Sequence, residues 1–167
     1  TDGNTVGNTT GLTHATARDF VAVNGEQLLT AHAADNTFDD EDFTIFTAVK
    51  LDALGAHRPF VSKWGANGTK SFMLYYDTTQ GKITFIISSD GTNIGFVTHT
   101  AAPTVGVWNR CVAVLNQTDT GAQLKLSVNG SDFATAAWTG GVFAANQWLR
   151  FGNWFEGSQY YFDGAMG

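Results

Sequence analysis

The sequence contains a single cysteine, so no disulfide within the chain contributes to its stability. Cys111 lies in the apolar, strand-like run Arg110-Cys111-Val112-Ala113-Val114-Leu115, where a thiol serves as a small buried side chain rather than a nucleophile. Charge is scarce as well. Only 14% of the 167 residues are Asp, Glu, Lys or Arg, where soluble domains carry about 25%. Polarity is supplied by Thr, Ser, Asn and Gly instead. With 9 Lys and Arg against 15 Asp and Glu the net charge is −6, and no basic run occurs. That balance excludes nucleic-acid binding by phosphate tracking and attachment to anionic lipid. No apolar stretch approaches the roughly 18 residues of a membrane-spanning helix. The start at Thr1, with neither Met nor signal peptide, is that expected of a processed chain or an excised segment.

Helical periodicity is nearly absent, and alternation with period 2 recurs from end to end. Leu124, Leu126 and Val128 alternate with Gln123, Lys125 and Ser127, one face apolar and one wet. Asn129-Gly130 follows at once, a dipeptide suited to the positive φ of a tight hairpin, with a returning strand expected over 132–136. Similar runs cover 43–51, 59–63, 71–76, 82–88, 107–115 and 148–151, separated by turn formers such as Gly65-Ala66-Asn67-Gly68 and Ser89-Asp90-Gly91-Thr92-Asn93. In Phe43-Thr44-Ile45-Phe46-Thr47-Ala48-Val49 apolar residues fall on both faces, as in a central strand covered on both sides. Trp108 and Trp148, inside such runs, are expected in the core. The pattern predicts an all-β fold, a two-sheet antiparallel β-sandwich. Residues 1–17, rich in Thr, Asn and Gly, read as a loose arm or linker, and 18–167 as one domain.

Several blocks, in order, resemble one known family. Phe43-Thr44-Ile45 with Val49-Lys50 looks like the "FTI.aWvk" strand of the laminin-G-like, concanavalin-A-like jelly rolls, and Phe60-Val61-Ser62-Lys63-Trp64 like their "ivsKw". Lys82-Ile83-Thr84-Phe85 with Ser89-Asp90-Gly91, Gly106-Val107-Trp108, and Leu124 to Gly130 resemble "l.f.vs.dg", "g.W.hva" and "lklyvnG". Leu149-Arg150-Phe151-Gly152 with Phe162-Asp163-Gly164 resembles "l.iG…f.G.i". The resemblance spans residues 18 to 167. It implies a concanavalin-A-like jelly roll used outside cells or on virions, for binding glycans or proteins and often with calcium. The family pattern continues after its last Asp-Gly with a further apolar strand, whereas here only Ala165-Met166-Gly167 follow. The expectation is a last strand that is very short, or a chain that is part of something longer.

Some jelly rolls of this class are glycoside hydrolases with paired carboxylates on one strand. Their "ExDxxE" spacing is absent here, as are Gly-x-Ser-x-Gly, Walker and His-Glu-x-x-His motifs. His14, His32, His57 and His99 are scattered singly, without metal-ligand spacing. No catalytic residue is assigned, and a non-catalytic module is expected.

Two sets of residues carry the functional expectation. Phe155-Glu156-Gly157-Ser158-Gln159 resembles the "FEGSQ" stretch of the pentraxin branch, which implies calcium ligands at Glu156 and Gln159, with Asn67 as a third. The acidic and amide cluster that pentraxins place just upstream is absent. The acidic run Asp35, Asp39, Asp40, Glu41 and Asp42 could supply hard oxygens for calcium, but reads better as a solvated loop leading into the strand at Phe43. The second set is aromatic. Trp64, Trp138, Trp154, Tyr160 and Tyr161 lie near turns, where rings can stack on sugar C–H faces, and Trp64, Trp154 and Tyr160 are the expected stacking residues while Asn67 and Asn153 bond hydroxyls. The expected role is a recognition or adhesion module for a glycan or glycoprotein surface, within a larger extracellular, cell-surface or virion protein. The alternatives are a structural domain of a virion decoration, fibre or surface appendage, contacting neighbouring subunits, and a glycoside hydrolase.

Overall fold

A computed structural model describes residues 7–12, 15–33, 38, 41–121, 123–155 and 159–167, with side chains from Ala17 onward. Among them are thirteen strands: β1 (Gly7–Leu12), β2 (Ala15–Phe20), β3 (Leu28–Thr30), β4 (Phe43–Leu51), β5 (Arg58–Lys63), β6 (Phe72–Asp77), β7 (Lys82–Ser88), β8 (Ile94–Thr98), β9 (Trp108–Leu115), β10 (Leu124–Val128), β11 (Ala134–Ala136), β12 (Leu149–Phe151) and β13 (Gly164–Met166). A single 3-10 turn follows β2 at Ala22–Asn24. The strands form a seven-stranded sheet, β1-β2-β13-β4-β9-β10-β11, and a six-stranded sheet, β3-β12-β5-β6-β7-β8. Every pairing is antiparallel. The expected all-β jelly-roll sandwich is the observed one.

Strand parity decides what is buried. Odd-numbered residues of β4 and β9 point inward, so Val49, Leu51, Cys111, Ala113 and Leu115 meet Phe72, Leu74, Phe85 and Ile87 of the facing sheet in one core. Apolar burial at about 25 cal/mol per Å² makes this inter-sheet layer the main stabilising contribution. Cys111 is fully buried there, its Sγ 3.8 Å from the Asn109 carbonyl, and burial pushes its pKa up to about 12. The hairpin between β10 and β11 turns at Asn129 and Gly130, with φ of 58° and 75°. Asn129 Oδ1 accepts the Arg110 amide at 2.9 Å, so the turn residue also ties down β9.

Parity also corrects three expectations. Trp108 occupies the outward phase of β9, half-buried beneath Lys50, whose Nζ lies 5.9 Å from the ring centroid. Trp148 is out of phase with Leu149 and Phe151 and is 42% exposed. Neither is a core residue. In β4 the inward face is covered, but Phe46 points outward and is 69% exposed, so that strand is not covered on both sides along its length. In the segment read as a loose arm, β1 and β2 form a hairpin, and β2 joins the seven-stranded sheet through β13. The 17/18 boundary falls inside β2.

In β5 the register to β6 shifts between Pro59 and Val61, a bulge that sends both Phe60 and Val61 into the core. Ser62 then faces outward, level with Met73.

Candidate functional site

The outer face of the six-stranded sheet carries Met73, Tyr75 and Asp77 from β6 and Ile86 from β7, on the phase opposite to the core residues of those strands. A sheet face this apolar needs cover. Cover comes from the connection between β12 and β13, which folds back as a hairpin. Its base is closed by the Phe162 amide donating to the Gly152 carbonyl (2.8 Å), the Asn153–Tyr161 bridge, and the Trp154 amide donating to the Tyr160 carbonyl (3.3 Å). Ser62 Oγ fastens it to the sheet, lying 2.7 and 2.8 Å from the carbonyls of Asn153 and Trp154. Arg58 Nη1 donates to the Tyr161 carbonyl at 3.0 Å and its Nη2 pairs with Asp163 at 3.5 Å.

This arrangement gathers four rings. The Trp154 centroid lies 5.1 Å from Tyr160, 5.2 Å from His57 and 5.3 Å from Tyr75, and His57 is 5.1 Å from Tyr160. The edge-to-face and tilted geometries are the favourable ones for aromatic pairs. Beneath them Asp77 is a polar hub. Its Oδ2 accepts the Tyr75 hydroxyl at 3.1 Å, its Oδ1 accepts the Thr79 amide at 2.8 Å, and His57 Nδ1 is 3.5 Å away. Burial, then the Asp77 carboxylate, pushes the Tyr75 phenol well above its ordinary pKa, so it stays a neutral donor. Tyr75 and Asp77 are buried, Trp154 and His57 half-buried, and Tyr160 is 41% exposed. The outward part of the cluster is therefore the tilted Trp154–Tyr160 pair, standing on a hydrogen-bonded base.

The expected pairing of Trp154 with Tyr160 is present. The other expected contacts differ. Trp64 is 5% exposed, packed with Met73, Tyr75 and Ile86 while Lys70 Nζ sits 5.9 Å from its ring, so it packs the face instead of offering a ring to solvent. Asn153 is 1% exposed, held by the bridge to Tyr161 and by the Ser62 anchor on its carbonyl, and its side-chain Oδ1 is buried without a hydrogen-bond partner among the described residues. Asn67 is exposed, in a loop held to Gly91 by the Gly68 amide at 2.8 Å. Gln159 is exposed, and Glu156 lies outside the described residues. His57, Tyr75 and Asp77 were not singled out from sequence. The outward phase of Met73, Tyr75 and Asp77 in β6 was the available signal, since a buried-faced strand ending in Tyr-x-Asp needs a partner for both.

Of the expected calcium set, Asn67 and Gln159 alone fall among the described residues. The described residues contain no group of three or more His, Cys, Asp or Glu placed to hold a metal ion. Asn67 and Gln159 offer only neutral amide oxygens, whereas calcium takes about six to eight oxygen ligands with carboxylates among them. In the acidic run, Asp42 Oδ1 accepts the Gln117 amide at 2.8 Å, a loop-fastening role, and Asp35, Asp39 and Asp40 lie outside the described residues. No helix among the described residues is long and apolar enough to cross a membrane.

A family model described as "Concanavalin A-like lectin/glucanases superfamily" matches residues 23–167. No curated protein matches by sequence. Among solved structures, domain 4 of AbnA, a GH43 extracellular arabinanase from Geobacillus stearothermophilus in complex with arabinotriose, superposes with a TM-score of 0.66 at 15% identity, covering 98% of this chain and 73% of that one. The binding domain of Paraclostridial Mosquitocidal Protein 1 gives 0.70 at 13% identity, covering 96% of this chain and 42% of that one. The CBM40 of the Ruminococcus gnavus IT-sialidase gives 0.60 at 19% identity, covering 78% and 76%. At these identities the likeness is one of fold.

Proposed function

The chain belongs to the concanavalin A-like lectin/glucanase superfamily, and from that premise we propose that it is a non-catalytic carbohydrate-binding module that reads a glycan on the Trp154–Tyr160 platform. The observation that carries this reading is the pair of tilted rings 5.1 Å apart, with Tyr160 open to solvent above buried Tyr75 and Asp77 and half-buried His57. A sugar ring stacks its C–H face on such a pair, while the Tyr160 hydroxyl and the polar edge of His57 meet its hydroxyls. The Asp77 oxygens are taken by Tyr75 and Thr79, which suits an orienting carboxylate more than an acid or nucleophile. Several neighbours in fold are carbohydrate-binding domains, and an extracellular setting within a larger protein, on a glycan or glycoprotein surface, is part of the same proposal.

Recognition in this form needs no metal from the described residues. The metal-dependent version, with calcium held by Glu156, Asn67 and Gln159, is separated from it by chelation. The test is calorimetric titration with arabinotriose and the sialyllactoses, followed by a broad glycan array, with and without EDTA. Tyr160→Ala should weaken binding by about tenfold or more, equivalent to about 1.4 kcal/mol, with the thermal midpoint little changed. No glycan binding under any condition would sink the proposal. Binding that survives both Tyr160→Ala and Trp154→Ala would move it away from this platform. Loss of binding in EDTA would assign calcium to the site.

A further inference from the structure

The connection after β8 and the hairpin turn after β10 belong to different sheets, and they meet through His99 and Ser131. Beside that contact lies a cavity of about 400 Å³, with Ile83, Pro103 and Val128 in its apolar wall. Its polar lining includes His99, Asn129 and Ser131, and no Asp, Glu, Lys or Arg is among its lining residues. Ser131 is exposed, whereas His99 is 6% exposed. His99 Nε2 lies 3.0 Å from Ser131 Oγ. The other ring nitrogen, Nδ1, faces Ala101, 3.1 Å from its carbonyl oxygen and 3.3 Å from its amide nitrogen. The carbonyl is the nearer, and a proton assigned to Nδ1 for it leaves Nε2 as an acceptor for the Ser131 hydroxyl. Both residues are held by their backbones. The His99 amide donates to the Ile83 carbonyl at 2.9 Å, and the Ser131 amide to the Val128 carbonyl at 3.2 Å. Ser127 Oγ donates to the Ser131 carbonyl at 2.7 Å. A hydroxyl on an imidazole that a third group orients is the arrangement that activates a serine. A tie between the sheets alone would require neither an exposed hydroxyl nor a cavity beside it.

We propose that Ser131 is a nucleophile, with His99 as its base, that accepts the acyl group of a small uncharged ester. The apolar wall suits a short acyl chain, and the lining offers no charged side chain to pair with an ionised one. Ser131 Oγ attacks the ester carbonyl carbon while its proton passes to His99 Nε2. The bond from that carbon to the leaving oxygen then breaks, and the leaving oxygen takes the proton from Nε2. The products are an ester on Ser131 Oγ and a free alcohol, and His99 is back in its starting form. Asn129 Nδ2 donates one hydrogen to Asn109 Oδ1 at 3.4 Å and has a second to offer the carbonyl oxygen as negative charge develops there. The site shares no residue with the Trp154–Tyr160 platform, so neither reading depends on the other. The proposed transfer is a single one to each chain, and the description of the glycan module as non-catalytic stands beside it.

The test incubates the 167-residue chain with para-nitrophenyl acetate and reads the acid-quenched protein by mass spectrometry with peptide mapping. Ser131 should be acetylated faster than any other Ser or Thr, by about tenfold or more. His99→Gln, which keeps hydrogen-bonding groups but supplies no base, should slow that acetylation by about a hundredfold or more. Ser131→Ala should remove it. Phenylmethylsulfonyl fluoride, applied to the unaltered chain, should sulfonylate the same hydroxyl with loss of fluoride, a readout independent of how the variants fold. Acetyl groups confined to lysines, with no Ser131 adduct from either reagent, would overturn the proposal. So would Ser131 acetylation at the parent rate in His99→Gln, which would leave His99 as a tie between the sheets and nothing more.

Discussion

Replacing Gly164 by alanine tests how tightly β13 is held. Gly164 has φ of +135°, and an added Cβ would run into the Lys50 carbonyl oxygen, with the Lys50 carbonyl carbon at 3.0 Å and the Asp52 amide nitrogen at 3.1 Å. All three are backbone atoms of β4 or its end, so no side chain can rotate away. The backbone conformation alone costs a non-glycine residue about 1–3 kcal/mol. Relieving the clash also requires β13 to withdraw from β4, weakening the 3.0 Å bond from the Asp52 amide to the Asp163 carbonyl and its neighbour in the ladder. Each such bond contributes about 1 kcal/mol. The sum is about 4 kcal/mol, a large share of the roughly 5–15 kcal/mol that stabilises a domain. At about 2–4 °C per kcal/mol for a chain of this size, the thermal midpoint should fall by about 8–16 °C. Urea unfolding gives the free energy, and Gly55→Ala is the reference, since nothing lies within 4 Å of its added Cβ. A Gly164→Ala protein within about 1 kcal/mol of the parent would refute this account of the β13–β4 contact.

Two further outcomes follow from the fold. The Cys111 thiol, raised from 9.0 to about 12 in the folded chain, contributes stability that is full below pH 9 and is lost as pH rises through 12. Stability should therefore fall by up to about 1.4 kcal/mol per pH unit across that window from this group, and Cys111→Ala should flatten the decline in denaturant titrations at pH 9 to 11. Asn129→Ala removes both a residue tolerant of φ 58° and the acceptor for the Arg110 amide, and should lower unfolding free energy by about 1–2 kcal/mol. A loss below about 0.3 kcal/mol in urea unfolding would show that the turn forms as well without it.

The apolar runs bounded by turn formers were legible in the sequence: β4 and β7 carry the bounds expected of them, and the alternation of Leu124, Leu126 and Val128 with polar residues marks β10. β8 was not, because its alternation is inverted. Ile94 and Phe96 point outward and are about half exposed, while Gly95 faces inward, close against the Trp138 ring. β1 and β2, built largely of Thr, Ala, Asn and Gly, show no apolar rhythm to mark them, and their place in the sheet is set by pairing with each other and with β13. The Trp154–Tyr160 pair was legible because both rings belong to one short hairpin. His57 and Asp77 were not, because they reach it from the connection before β5 and from the end of β6, 97 and 77 residues away from Trp154 along the chain. Only the stacking of strands brings them under the rings.

The bulge in β5 acts as a phase shifter. Without the additional residue between Pro59 and Val61, the strand would keep its inward and outward sides in strict turn, and everything after it would be reversed. Ser62 would then point into the sandwich and leave the carbonyls of Asn153 and Trp154 without their anchor. Lys63, now wholly buried with Nζ 2.7 Å from the Gln147 carbonyl, would be turned out to water. One inserted residue thus sets the handedness of two unrelated contacts on opposite sides of the sheet. A family member that lost it would have to rebuild both together, so the hairpin that carries the rings and the buried lysine should be gained or lost as a unit.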